Sequence, residues 1–118
     1  MFNSDNEIWS AVKLLEGKTL LTYVDESENR VITVEDTGNN KDKVIIDGRN
    51  TFPLREDIIA AYKLLFVKKE LSRNYDLDWL AIPSKQTSSI VFKIIGVLTE
   101  GESYLIKNKS VLLKLRAT

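Results

Sequence analysis

Between Tyr75 and Leu115 the apolar pattern changes period twice, and the order of those changes restricts the fold more than any other feature of the chain. A short apolar segment, Tyr75 to Ile82, is stopped by Pro83, which cannot continue a helix. A polar helix start, Ser84 to Ser89, then runs into an apolar body, Ile90 to Leu98. Two short apolar runs, Tyr104 to Ile106 and Val111 to Leu115, flank a polar turn at Lys107, Asn108 and Lys109 and predict a β-hairpin.

Short helix, tight turn, second helix and ribbon follow one another in the order of a winged helix-turn-helix. That shape serves both nucleic-acid binding and protein interaction. Upstream, Ser4 and Glu7 have the spacing of a capping box, so a first helix opens there, carries Ile8, Val12 and Leu15 on one face, and ends at Gly17. Thr19 to Asp25 and Arg30 to Glu35 read as two strands, and Asp36 to Asp42, with Gly38-Asn39-Asn40, as a flexible loop. Lys43 to Phe52 predicts a second hairpin, because Asp47-Gly48 supplies the positive φ angles of a type I′ turn. A further helix opens near Leu54, with Glu56 and Asp57 against its N-terminal dipole, a buried stripe at Ile58, Ala61, Tyr62 and Leu65, and Lys68 and Lys69 at its end. Two apolar helical stripes in so small a chain have only each other and one sheet face to cover them. Ile58, Tyr62, Leu65, Ile94 and Leu98 are therefore expected to meet in one core. The expected fold class is α+β: one domain over 1–118, with a small antiparallel sheet, a winged helix-turn-helix-like helical half and a C-terminal β-hairpin.

Function is bounded mainly by exclusion. Neither His nor Cys occurs, which removes imidazole acid–base catalysis, thiol nucleophiles, disulfides and His/Cys zinc sites. Trp9 and Trp79 lie among apolar neighbours and read as core, and the five isolated glycines make no phosphate-cradling loop. No acidic pair has the setting of a carboxylate enzyme, so the chain is expected to have no catalytic activity and no cofactor. A polar, acidic opening and apolar runs far short of ~20 residues predict a cytoplasmic protein with no membrane partner.

Charge is balanced overall, 17 basic against 17 acidic residues, but unevenly distributed. Residues 1–54 carry six bases and ten acids, whereas residues 55–118 carry eleven bases and seven acids. Within the basic half, Ser84, Lys85, Gln86, Thr87 and Ser88 are the candidate nucleic-acid contacts, because a helix entering the major groove needs a small, polar start. Lys107 and Lys109 at the ribbon tip are the candidate phosphate contacts. The bland counterparts are helix capping by the hydroxyls and solvated lysines guarding a sheet edge. Lys68, Lys69 and Arg73 form a further basic cluster, read first as neutralising a helix C-terminus.

Three segments, Ile58 to Leu65, Glu70 to Leu77 and Ser88 to Ile95, are similar to the motifs of a winged-helix-like accessory module found beside restriction enzymes, nucleases and phage proteins. The resemblance extends from about Thr19 to Leu98 and implies a nucleic-acid setting without catalytic residues. This chain departs from the pattern in carrying no nuclease domain of its own. The expectation is thus a small winged-helix-like protein that binds double-stranded DNA. The alternative is a protein-interaction module, such as a phage-type inhibitor of a host nucleic-acid enzyme, whose Asp25, Glu26, Glu28, Glu35 and Asp36 imitate nucleic acid. The oligomeric state is left open, a homodimer included.

Overall fold

The capping box at the start of the chain works as its spacing requires. In the computed structural model, which describes residues 2–17, 19–20, 28–46, 52–73, 76, 80, 85–107 and 111–116, Ser4 caps helix α1 (Asp5–Lys13) by accepting the Glu7 N–H at 3.2 Å. The Glu7 carboxylate in turn accepts the N–H of Asn3 at 2.7 Å, one residue earlier than the usual reciprocal bond. Ile8, Trp9 and Val12 are buried on the inner face of α1. The helix ends at Lys13 with Leu14 as its cap, earlier than the expected Gly17. Gly17 lies in the following turn with φ +79°, a conformation that favours glycine, and donates its N–H to the Ile32 carbonyl at 2.9 Å.

That bond delivers the chain to a three-stranded antiparallel sheet of order β1-β2-β3, formed by Thr19–Leu20, Glu28–Val34 and Val44–Ile46. The pairing of Ile32 with Ile46 and of Val34 with Val44 puts all four on the buried face, while Val31 and Thr33 face water. This is the alternation that β spacing demands of a half-covered sheet. The Asp47-Gly48 turn and the strand expected after it lie outside the described residues, apart from Phe52. An antiparallel bridge between Lys43 and Leu54 is described, with the Val44 N–H donating to the Pro53 carbonyl at 2.9 Å.

The loop expected to be flexible is instead tied to one buried side chain. Asp42 is 1% exposed, and its carboxylate accepts the Thr37 hydroxyl at 2.5 Å and the N–H groups of Thr37, Gly38 and Asn39 at 2.8, 3.0 and 3.1 Å. Burial alone raises the pKa of this carboxyl, but the bonds from Thr37, Asn39 and Gly38 outweigh it, and the pKa lies below its ordinary value.

Helix α2 (Arg55–Lys68) takes over the same loop as its cap. Leu54 offers no side-chain bond, and the Arg55 and Glu56 N–H groups donate to the carbonyls of Asp42 and Asn40. Ile58, Ile59, Ala61, Tyr62 and Leu65 are buried. At the far end Lys69 adopts φ +67°, a left-handed cap that turns the chain at once into strand β4 (Glu70–Ser72). Strands β5 (Ser103–Lys107) and β6 (Val111–Leu115) complete a second antiparallel sheet of order β4-β6-β5, with Leu71 and Leu113 paired and buried.

Between β4 and β5 lies helix α3 (Lys85–Leu98). Ile90, Val91, Phe92, Ile94 and Ile95 are all 1% exposed or less, so α3 is the central rod of the core, packed on α2 and touching α1 and β1. Three helices and two small antiparallel sheets make a compact α+β fold among the described residues. Of the five residues expected to meet in the core, Ile58, Tyr62, Leu65 and Ile94 do so, and Leu98 is only half-buried where α3 ends.

Candidate functional site

The residues expected to read DNA divide between the first turns of α3 and the end of β5. Ser84 and Lys109 lie outside the described residues, as does nearly all of the supporting segment from Tyr75 to Ile82. Lys85 and Gln86 belong to the first turn of α3, but their side chains are not among those described.

Thr87 and Ser88 do not have the exposure expected of them. They are 3% and 4% exposed, with Ile90 and Val91 buried immediately after them. A helix that reads a major groove keeps one side free for base edges. Here nearly every position from Thr87 to Gly96 is buried, Lys93 included at 8% exposure, and Ser89 is the half-buried exception. The physical reason is size. Threonine and serine are small, and a helix lets their hydroxyls bond locally, so they can be buried at little cost. Of the polar helix start that the sequence presents, Thr87 and Ser88 are buried.

Lys107 is exposed, as expected. Strand parity decides its company. Alternation in β5 places Ser103, Leu105 and Lys107 on the core side and Tyr104 and Ile106 on the outer side. The other ribbon cations, Lys114 and Arg116, lie on the outer side, with Lys114 opposite Tyr104 and the Arg116 guanidinium 5.5 Å from the Tyr104 ring centroid. The ribbon therefore carries its positive charge on two faces, each thinly.

The cluster of Lys68, Lys69 and Arg73 is structural in part. Lys68 pairs with the buried carboxylate of Asp76, which also accepts the Ser72 N–H at 2.6 Å and so fastens the turn after β4. Lys69 is the left-handed cap, and the Arg73 N–H donates to the Val111 carbonyl. Of the acidic half, Asp25 and Glu26 lie outside the described residues. Asp36 is engaged by Lys13 at 3.0 Å and by the indole N–H of Trp9 at 3.3 Å.

Among the described residues no group of acidic side chains is placed to hold a metal ion. Asp42 is filled by N–H and O–H donors, the wrong partners for a cation to displace. No described helix is long and apolar enough to cross a membrane.

The feature that sequence reasoning missed is apolar. Leu14 and Val67 are 73% and 78% exposed. They flank Phe2, which borders both a cleft of about 300 Å³ against Tyr62, Phe66 and Val67 and a shallow depression over Ala11 and Leu14. Phe2 is held there by its ring contact with Tyr62, at 5.6 Å between centroids, and by its N–H, which donates to the Tyr62 hydroxyl at 3.1 Å. The available signal was the position of Leu14, two residues past the Val12 stripe on α1. No protein-family model, curated protein or solved structure matches this chain.

Proposed function

We propose that this chain is a non-catalytic, cytoplasmic protein-interaction module on a winged-helix-like scaffold, whose partner is a protein of nucleic-acid metabolism. The element order α2, β4, α3, β5, β6 and the strand order β4-β6-β5 support the scaffold. The observation that carries the interaction reading is the burial of Thr87 and Ser88, since the described side chains from Thr87 to Gly96 leave little of α3 open to a groove. The exposed pair Leu14 and Val67 supplies apolar surface that a partner would cover. The nucleic-acid setting of the partner comes from the module that residues 58–95 resemble.

A second reading, direct DNA binding through the ribbon, is favoured by the exposure of Lys107, Lys114 and Arg116. Gel-shift titration of random duplex DNA at low salt, repeated at higher salt, separates the two. The interaction reading predicts no complex at micromolar protein. A micromolar complex that weakens steeply with salt and loses about one unit of salt slope in Lys107→Ala would establish the ribbon reading instead.

A further inference from the structure

Phe2 is the one described residue that borders both the cleft against Phe66 and Val67 and the depression over Ala11 and Leu14. It is half-buried, and its attachments are few. Among the described residues it hydrogen-bonds to Tyr62 alone, its N–H donating to the hydroxyl, and its ring meets the Tyr62 ring. Tyr62 itself is fixed. It is 1% exposed on α2, with its ring centroid 4.8 Å from that of Phe66.

The residues after Phe2 are held separately. The Asn3 N–H donates to the Glu7 carboxylate, and the Ser4 hydroxyl accepts the Glu7 N–H. Both bonds belong to the start of α1, so they persist whether or not Phe2 lies on Tyr62. The backbone between Phe2 and Asn3 is therefore a pivot, with a fixed helix cap on one side and a single contact residue on the other. One hydrogen bond and one ring pair hold Phe2 down by a factor on the order of a hundred. Unfolding of the whole chain is disfavoured by roughly a thousandfold or more, so Phe2 leaves Tyr62 while α1 and α2 stay packed.

We infer that Phe2 is a releasable strap, closed over Tyr62 in this structure, whose release joins the cleft and the depression into one apolar surface from Leu14 to Val67. Closed, the strap is the wall that the two recesses share. Open, that wall is gone, and the Tyr62 ring joins the exposed Leu14 and Val67 side chains. The strap thus sets how much apolar surface the chain offers a partner, a role that rests on the interaction reading proposed above. A partner that binds only the open state gives up about a hundredfold in apparent affinity, which loss of the Phe2 ring restores.

Methyl relaxation dispersion on the full chain, read at Leu14 and Val67, tests this. Both residues are expected to exchange at one common rate, with an open state of about one per cent. Tyr62→Phe removes the acceptor of the Phe2 N–H and should raise that population about fivefold. Phe2→Ala should abolish the exchange, keep urea unfolding cooperative and increase the fluorescence of added 1-anilinonaphthalene-8-sulfonate severalfold. Flat dispersion at either residue of the native chain would overturn the inference. So would unequal rates at the two, an open population in Tyr62→Phe no higher than the native one, or a Phe2→Ala chain that no longer unfolds cooperatively. Because these readouts involve neither DNA nor a partner, a failed strap leaves the interaction reading standing, and a gel shift that overturns that reading leaves the strap untouched.

Discussion

Replacing Leu65 with alanine measures how far the two long helices depend on each other. Leu65 is fully buried on α2, in the same core cluster as Tyr62, Ile90 and Ile94, so no solvent exposure cushions the loss. Removing three buried carbons forfeits about 2 kcal/mol of transfer free energy. A rigid site would retain a void on the order of 70 Å³, which adds about 1.7 kcal/mol. Together the two effects predict a loss of about 3–4 kcal/mol, or roughly 15 °C in Tm for a chain of this size. Val67, two residues away and 78% exposed, is the internal control, and Val67→Ala should change stability by less than about 0.5 kcal/mol. Urea denaturation followed by circular dichroism gives both values. A Leu65→Ala loss below about half a kcal/mol, or equal losses at the two sites, would refute the packing of α2 described above.

Two further perturbations probe polar anchors. Asp42→Asn should destabilise the protein at neutral pH and remove a pH dependence that the native chain shows. With the folded pKa of Asp42 depressed, its stabilisation is present above the unfolded value, about 4, and is lost as pH falls through the lower folded value, so acid titrations of the two proteins should converge at low pH. Tyr62→Phe keeps the ring contacts with Phe2 and Phe66 but leaves the Phe2 N–H without its acceptor, and should cost about 1 kcal/mol by thermal denaturation.

The parts of this fold that were legible in the sequence are those governed by local chemistry. The Ser4 and Glu7 pair placed the start of α1, and the stripe at Ile58, Ala61, Tyr62 and Leu65 placed the buried side of α2. The β-rich run from Arg30 to Glu35 placed most of strand β2. What misled was composition read without its tertiary setting. Gly38-Asn39-Asn40 looked like slack chain, yet Asp42, a few residues on, is the carboxylate that gathers the amides of that stretch. Thr87 and Ser88 looked like a surface because they are polar, but polarity does not distinguish a helix start facing water from one pressed into a neighbour. Only the arrangement of α1, α2 and β1 around α3 decides that. Sequence periodicity likewise could not show that Lys107 and Lys114 fall on opposite sides of the ribbon, because that depends on strand register.

The central claim is that α3 is a core helix from Thr87 onward, and Ser88→Lys tests it most directly. At 4% exposure, a lysine at position 88 must force a long side chain into packed space and desolvate its charge. The account predicts a stability loss of at least about 2 kcal/mol in urea denaturation, with no gain in affinity for duplex DNA. A variant within about 0.5 kcal/mol of the native chain that also binds DNA more tightly would contradict it, because only an α3 open to solvent accommodates that lysine and turns it toward phosphate.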